Sequence, residues 1–249
     1  MNELSLFTGA GGGVLGSKIL GWKTIGYVEY EKYCQEVIKQ RIADGILDAA
    51  PIFGDIRKFI SEGYADAYQG MVDVVTGGFP CQDISIAGKG IGIEGENSGR
   101  WEEMVEVISR VRPAFAFVEN SPMLTIRGGT RVVADITRLG YDARWGIVGN
   151  YELGFCTRSE RFWLFAYAPN GYGLEKVGIQ SKIADKKQSR RRQFERAISA
   201  CLPFETIPAE CRNIDGLARG MDRLKAIGNG QVPLCMAYAF SILSQGIVE

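Results

Sequence analysis

Short apolar runs rich in β-branched and aromatic residues alternate with longer amphipathic segments over the first 167 residues. The runs predict strands at residues 4–7, 24–28, 71–76, 114–118, 144–148 and 161–166. The amphipathic segments predict helices at residues 14–20, 32–41 and 130–139, and a last apolar stretch predicts one at residues 232–248. Strands that alternate with helices predict an α/β fold with a doubly wound, mostly parallel sheet.

Composition divides the chain into three parts. Residues 1–167 carry the alternating pattern, and 46% hydrophobic residues over 249 positions suffice for a sizeable core. Residues 168–222 are polar and contain a run of lysines and arginines, which indicates a small separate region. Residues 223–249 include the last apolar stretch, which we expect to pack back on the sheet.

The composition also excludes several classes of protein. No apolar run reaches the roughly 18 residues that span a bilayer, and the start MNELSLF lacks the basic region of a signal peptide. We therefore expect a cytoplasmic protein without a membrane partner. The chain has no histidine and six cysteines without a CxxC pair, which excludes Cys/His zinc sites and histidine-dependent hydrolases. We expect no metal.

A glycine-rich turn, FTGAGGG at residues 7–13, follows the first predicted strand. Its backbone N–H groups can approach a ligand closely, although a tight structural turn explains the same residues. Glu29 ends the second strand about 20 residues later, where a carboxylate typically accepts hydrogen bonds from ribose hydroxyls. Asp55 is placed to hold an adenine amino group, although either acid alone fits a helix cap or a turn. Together they predict an adenosine ligand without a pyrophosphate.

A second glycine-rich loop, residues 77–90, contains Cys81 directly after a proline. Cysteine is the best nucleophile available near neutral pH, although a lone cysteine is commonly a small buried apolar residue. Glu119 follows the neighbouring strand, where a carboxyl of raised pKa can protonate an aromatic ring nitrogen. A carboxylate at the start of a helix is the alternative for Glu119.

The order of these motifs resembles that of the DNA cytosine-5 methyltransferases. The resemblance covers residues 4–167 and 223 onward, and its compact form is similar to phage and prophage members. The loop with Cys81 and the Glu119-Asn120 pair that follows it are the highly specific part of this resemblance, whereas the glycine turn is not specific. The matching segments are FTGAGGG, Glu29, GDI at 54–56, GGFPCQDIS at 77–85, EN at 119–120, RSER at 158–161 and IGNGQVP at 227–233.

The resemblance implies a Rossmann-like fold that uses S-adenosylmethionine and releases S-adenosylhomocysteine. The residues it implies for cofactor binding are Phe7, Gly9, Gly11, Glu29, Tyr30, Asp55, Ile56, Pro80 and Asn229. Among them Glu29 would bind the ribose, Tyr30 would lie against the adenine, and Asp55 with Ile56 would take the adenine edge.

For catalysis the resemblance implies a Cys81 thiolate that attacks carbon 6 of a flipped cytosine in duplex DNA. Glu119 would protonate ring nitrogen 3 and Arg161 would hold the carbonyl oxygen. Residues 88–100 would belong to a loop that closes over the base. The expected DNA contacts, which include the basic run, are Gln82, Ser85, Lys89, Arg100, Lys186, Lys187, Arg190, Arg191 and Arg192.

Several positions depart from the family pattern. Ser5 stands where an acid is usual, and Thr157 and Ser159 replace the first and middle members of a Gln-x-Arg-x-Arg motif. Arg158 is a candidate to compensate for Ser159. Ser121 replaces a usual valine, and Gly230 replaces a common serine. The nucleophile and the acid are retained, so these departures affect the anchoring of the cytosine.

The region 168–222 would recognise the target, and its small size suggests a short or degenerate site. We expect a monomer, and a companion restriction endonuclease fits the family. Three alternatives stay open: a tRNA cytosine-5 methyltransferase on the same scaffold, a catalytically silent DNA-binding homologue, and a methylase of free deoxycytidylate. The basic run itself also fits a solvated helix face or a flexible tail.

Overall fold

A computed structural model describes residues 1–80, 99–153, 159–169 and 230–248 of the chain. Seven strands form one sheet in the order β3-β2-β1-β4-β5-β7-β6. They are β1 (Asn2–Leu6), β2 (Lys23–Val28), β3 (Ile52–Phe53), β4 (Val74–Gly78), β5 (Phe115–Asn120), β6 (Asp142–Gly149) and β7 (Glu160–Tyr167). The first five are parallel, and β7 lies antiparallel between β5 and β6. The predicted α/β fold with a mostly parallel sheet is confirmed.

Helices cover both faces of this sheet. On one face lie α1 (Gly12–Ile19), α2 (Lys32–Ala43) and α8 (Pro233–Leu243). On the other lie α3 (Ile56–Ser61), α4 (Tyr64–Ala67), α5 (Gly99–Val111), α6 (Leu124–Arg127) and α7 (Gly129–Arg138). A short 3-10 helix, Asn150–Leu153, follows β6. Within the described ranges, no helix is both long and apolar enough to cross a membrane.

Strand β5 shows why the centre of the sheet was predictable. All six of its residues are buried, and alternate side chains face opposite layers. Phe115 and Phe117 pack towards α8, whereas Ala116 and Val118 pack towards α5 and α7. Its last two residues, Glu119 and Asn120, are therefore carried to the carboxyl edge of the sheet by apolar packing on both sides.

Helix α8 packs on α1 and on the sheet beside β5. Phe240 makes edge contacts with Trp22, Phe117 and Phe165 at centroid distances of 4.6, 5.4 and 5.3 Å. A Cβ atom on Gly16 of α1 would lie 2.7 Å from the Pro233 carbonyl oxygen, so glycine permits this close approach. Helix α8 is thereby packed directly against helix α1.

A buried carboxylate joins three strands and α1 on the same face. Glu3 of β1 is fully buried and accepts hydrogen bonds from the hydroxyls of Ser17, Thr24 and Thr76 at 2.7, 2.7 and 2.6 Å. Burial raises its pKa, and the three hydroxyl donors oppose the rise. None of these partners is a cation, so the three hydroxyls are the groups that offset the cost of burying the Glu3 carboxylate.

The structure corrects several predicted boundaries. The first strand ends at Leu6 rather than at residue 7, because Phe7 has a left-handed φ of 49° and turns the chain out of the sheet. The third predicted strand begins at Val74 instead of residue 71. The last helix ends at Leu243, and residues 244–247 form turns instead of continuing to 248.

Helix α5 is an element that the strand and helix predictions do not include. It begins at Gly99, so Arg100 lies in its first turn and the expected loop 88–100 does not extend through it. Trp101, Met104 and Ile108 of α5 are fully buried, which explains why this segment is helical. The short helices α3, α4 and α6 are likewise absent from the predictions, since four to six residues give little periodicity.

Candidate active site

A cleft opens where the carboxyl ends of β1, β4 and β5 meet. Strand order reverses on the two sides of β1, and ligands bind at such switch points in doubly wound sheets. The cleft is open to solvent. Its lining comprises residues 5–9, Gly13, residues 76–78, Glu119, Gly230 and Gln231. The predicted glycine turn and the predicted acid therefore share one cleft.

The glycine turn at the cleft contains three residues with a positive φ angle. Phe7, Gly9 and Gly11 have φ values of 49°, 60° and 92°. Gly11 is the N-cap of α1, which points the start of that helix into the cleft. A non-glycine residue in the left-handed region is uncommon, so the loop holds Phe7 in a strained conformation beside the cleft.

Glu29 ties the end of β2 to this turn. The Gly9 N–H donates to its Oε2 at 2.6 Å, and the Glu31 N–H donates to its Oε1 at 2.7 Å. Burial raises its pKa, and these backbone donors oppose the rise. The Tyr30 N–H is a third backbone donor to this carboxylate, and because a carboxylate has about four acceptor positions, one remains for a ribose hydroxyl. The predicted role in ribose binding is compatible with this geometry.

Asp55 caps helix α3, which is the alternative to adenine binding that the sequence offered for this residue. Its Oδ1 accepts from the Arg57 N–H at 2.9 Å at the start of α3, and its Oδ2 accepts from the Arg57 guanidinium at 2.9 Å. The hydrogen bond to the Arg57 side chain lowers the pKa of Asp55. An adenine amino group would therefore share this carboxylate with Arg57. The neighbouring Ile56 is buried in the core, which leaves only its backbone for a ligand, and Tyr30 is 62% exposed.

Glu119 is the buried acid of the cleft. Its side chain reaches Arg161 of β7, with Nε 3.0 Å from Oε1, and Gln231, with Nε2 3.3 Å from Oε2. Burial raises the pKa of Glu119 to about 7, against the opposing effects of the Arg161 charge and the Gln231 hydrogen bond. A carboxyl with a pKa near neutrality can both give and take a proton under physiological conditions.

Arg161 is anchored by its own neighbours. Its Nη1 donates to the Ser159 hydroxyl at 3.0 Å and to the Glu160 carbonyl at 2.9 Å. The Ser159 N–H donates to the Asn150 side chain at 2.8 Å. Ser159, noted as a departure from the family motif, thus supports the arginine that contacts Glu119. Arg158, the candidate compensating residue, lies outside the described residues.

The strand that leads towards Cys81 lies beside the acid. Gly78 of β4 is paired with Glu119 of β5, and the Asn120 amide donates to the Phe79 carbonyl at 2.9 Å. Pro80 follows Phe79 and is exposed. Asn120 and Gln231 were not among the predicted site residues. Asn120 carries a signal in the sequence, because it is a polar residue at the end of an apolar strand.

Part of the predicted site lies outside the described residues, namely Cys81, Gln82, Ser85, Lys89, Lys186, Lys187, Arg190, Arg191, Arg192 and Asn229. Arg100 is described and forms an ion pair with Glu103 at 3.0 Å in the first turn of α5. Its DNA contact stays a prediction. In the part of the chain that the structure covers, no group of three or more cysteine, aspartate and glutamate side chains could hold a metal ion.

Comparison with known proteins supplies relatives by sequence. The chain is 27% identical over 171 residues to the Type II methyltransferase M.NgoBI of Neisseria gonorrhoeae, a match that covers 67% of this chain and 50% of that protein. It is 31% identical over 144 residues to the Type II methyltransferase M.CviJI of Paramecium bursaria Chlorella virus IL3A, which covers 57% and 36%. The chain thus spans half or less of the length of these relatives.

Solved structures share the fold. The Dnmt2 methyltransferase of S. pombe superposes with a TM-score of 0.53 at 16% identity, which covers 68% of this chain and 49% of that one. An E. coli protein assigned as a prophage-encoded DNA modification methyltransferase gives 0.51 at 19% identity, over 73% and 49%. The model of the C-5 cytosine-specific DNA methylase family matches residues 1–210. Because this match spans most of the 249 residues, the chain belongs to the C-5 cytosine-specific DNA methylase family.

Proposed function

We propose that this protein transfers a methyl group from S-adenosylmethionine to carbon 5 of a cytosine in duplex DNA. The observation that carries the proposal is the buried Glu119 carboxyl, whose pKa of about 7 suits general acid catalysis and which is held by Arg161. Family membership and the Type II methyltransferases among the relatives support the same reaction.

The cleft suits the proposed cofactor. When bound, S-adenosylmethionine supplies a methyl group on a positively charged sulfur. Phe7, Gly9 and Gly11 would lie along its methionine portion, and the remaining acceptor position of Glu29 would take a ribose hydroxyl. Asp55 would exchange part of its contact with Arg57 for the adenine amino group. The carboxylates at 29 and 55 thus fit an adenosine, with more rearrangement at 55.

The proposed chemistry begins with Cys81, which follows Pro80 in the sequence. Its thiolate attacks carbon 6 of the cytosine and forms a carbon–sulfur bond. Glu119 donates a proton to ring nitrogen 3, while Arg161 donates a hydrogen bond to the carbonyl oxygen. Electron density then rises at carbon 5, which accepts the methyl group. Loss of the carbon-5 proton to a water and elimination of the thiolate restore the aromatic ring.

Access to these atoms requires that the cytosine leave the duplex. Unstacking a base costs a few kcal/mol, which contacts to the DNA must offset. We assign the phosphate contacts to the basic run between Lys182 and Arg196, where about six to ten contacts would make binding strongly salt-dependent. A target site of few or degenerate bases is our expectation for so short a region.

Transfer of a tritiated methyl group from S-adenosylmethionine to duplex DNA tests this function, with tRNA and free deoxycytidylate as competing substrates. We expect label in duplex DNA, none with Cys81→Ser, and a covalent adduct on DNA that contains 5-fluorocytosine. Label in tRNA alone would indicate a tRNA cytosine-5 methyltransferase. Absence of both label and adduct would indicate a silent DNA-binding homologue.

Base-resolution mapping of a methylated plasmid identifies the target. A defined site of six or more bases would contradict the expectation of a short or degenerate site, without affecting the reaction itself. Cys81→Ala serves as the unmethylated control.

A further inference from the structure

Gln231 occupies an unusual place in the cleft. It lies just before α8, 112 residues after Glu119 in the sequence, and its Nε2 is 3.3 Å from Oε2 of that acid. Arg161 binds the other carboxyl oxygen. The two oxygens of Glu119 are thus held from two directions, one by a cation on β7 and one by a neutral amide from the segment that precedes α8.

Three glycines make room for this glutamine. A Cβ atom on Gly12 would lie closer than 3.0 Å to the Gln231 carbonyl oxygen, and one on Gly13 would lie equally close to its Oε1. A Cβ atom on Gly78 would lie 2.9 Å from its Nε2. Real Cβ atoms essentially never come within 3.0 Å of other heavy atoms, so the backbone contact requires glycine at position 12, whereas a side chain at position 13 or 78 would force the end of the Gln231 side chain to shift. These contacts enclose the side chain and limit its movement.

This arrangement gives two of the glycines a role unrelated to a ligand. Gly12 and Gly13 belong to the motif that suggests close approach to a cofactor, yet both are crowded by Gln231. Gly9 has open space around its Cβ position and a left-handed φ of 60°. Gly9 therefore shapes the turn, whereas Gly12 and Gly13 leave room for the segment before α8.

The chemistry of the contact follows from the charges around Glu119. In the described part of the chain, Arg161 is the charged group bonded to it, Gly78 of β4 is neutral, and Gln231 is neutral. A donor directed at a carboxyl oxygen favours the ionised form and so opposes the effect of burial. The neutral amide of Gln231 lowers the proton affinity of Glu119 less than a second cation would, while it holds one carboxyl oxygen in place.

We infer that Gln231 is a positioning residue, which fixes the second carboxyl oxygen of Glu119 and limits how tightly that acid holds its proton. This inference rests on the proposed function, in which Glu119 protonates the cytosine ring. The protonated acid gives its proton to ring nitrogen 3 and is regenerated when the ring returns it. Gln231 exchanges no proton itself and acts only through Glu119.

Gln231→Met tests this role, because methionine has a similar length and no donor. Removal of one hydrogen bond should raise the pH at which Glu119 titrates by about half to one pH unit. The alkaline limb of the single-turnover methylation rate should move up by the same amount, with the dissociation constant of S-adenosylmethionine changed less than about twofold. Gln231→Ala, which cannot crowd the glycines, should give the same direction of change if the methionine variant fails to fold.

Carbon-13 NMR of the labelled glutamate carboxyls measures this titration directly, and Glu119→Gln identifies the resonance. Gln40→Met makes the same chemical change on the exposed surface of α2, where Gln40 donates to Asp44, and should leave the titration of Glu119 unaltered. An unchanged titration in both Gln231 variants would overturn the inference. Weaker cofactor binding without a shift in titration would also overturn it, since Gln231 would then be only a wall of the cleft. The NMR measurement needs no turnover, so it decides the role of Gln231 even if no methyl transfer is found.

Discussion

Replacing Glu119 by glutamine should change how the stability of the protein depends on pH. Burial raises the pKa of Glu119 from 4.5 to about 7, so the folded protein binds this proton more tightly than the unfolded chain does. Below the unfolded pKa both states are protonated and the stabilisation is complete. As pH rises, the unfolded chain ionises first, and the stabilisation is lost until the folded pKa is passed. Glu119→Gln removes this dependence.

The size of the effect follows from the two pKa values. One pKa unit corresponds to about 1.4 kcal/mol, so a rise from 4.5 to about 7 corresponds to about 3 kcal/mol in the free energy of unfolding. About 2.5 kcal/mol of this falls between about pH 5 and pH 8. Glu3 and Glu29 also have raised pKa values, but both are present in the two proteins and cancel in the difference.

Urea unfolding of the wild type and the variant at several pH values provides the measurement. The difference in free energy of unfolding, wild type minus variant, should fall by about 2.5 kcal/mol from about pH 5 to pH 8. A difference independent of pH would refute the argument, because Glu119 would then titrate alike in the folded and unfolded states. A difference that increases with pH would show that Arg161 outweighs burial and that the folded pKa is depressed.

Three further substitutions test other parts of the structure. Gly78→Ala should slow single-turnover methylation by about 100-fold, because the new methyl group collides with Glu119 and a small displacement of a catalytic group has effects of this order. Ser17→Ala should lower the free energy of unfolding in urea by about 1–3 kcal/mol, because the buried carboxylate of Glu3 loses a donor. Phe240→Ala should lower it by about 3–5 kcal/mol, since the ring fills the centre of the α8 interface.

Matched changes serve as controls for these substitutions. A Cβ atom on Gly146 would lie 3.7 Å from Leu243, an ordinary contact, so Gly146→Ala should leave the methylation rate unaltered. Ile242 of α8 is 42% exposed, and Ile242→Ala should change stability by only about 0.5 kcal/mol. Equal effects of Phe240→Ala and Ile242→Ala would contradict the packing described for α8. Full activity of Gly78→Ala would show that Glu119 tolerates displacement.

Local sequence patterns were sufficient to predict the centre of the sheet. Strand β5 is buried on both faces, so its apolar run identifies it without knowledge of its neighbours. The structure adds α5, although Trp101, Met104, Ile108 and Val111 recur at helical spacing, a signal that the sequence carries. Boundaries such as the end of β1 depend on a single backbone angle at Phe7, which periodicity does not report.

A site residue was predictable from the sequence where its own chemistry and motif indicate its role. It was less predictable where its role depends on a residue far away in the sequence. Glu119 and Arg161 match family motifs, and the structure brings them to 3.0 Å. Whether Asp55 binds a ligand or caps a helix depends on the position of Arg57, and the structure shows the cap. The contact of Gln231 joins segments 112 residues apart, and no local pattern indicates it.

The attachment of α8 has a consequence for biosynthesis. Ribosomes make the chain from its amino end, so the sheet and Glu119 emerge long before the segment at 230–243 that packs against them. Until that segment docks, the glycines at 12 and 13 face water, and the acid lacks its second support. Completion of the cleft therefore waits for the synthesis and docking of residues 230–243.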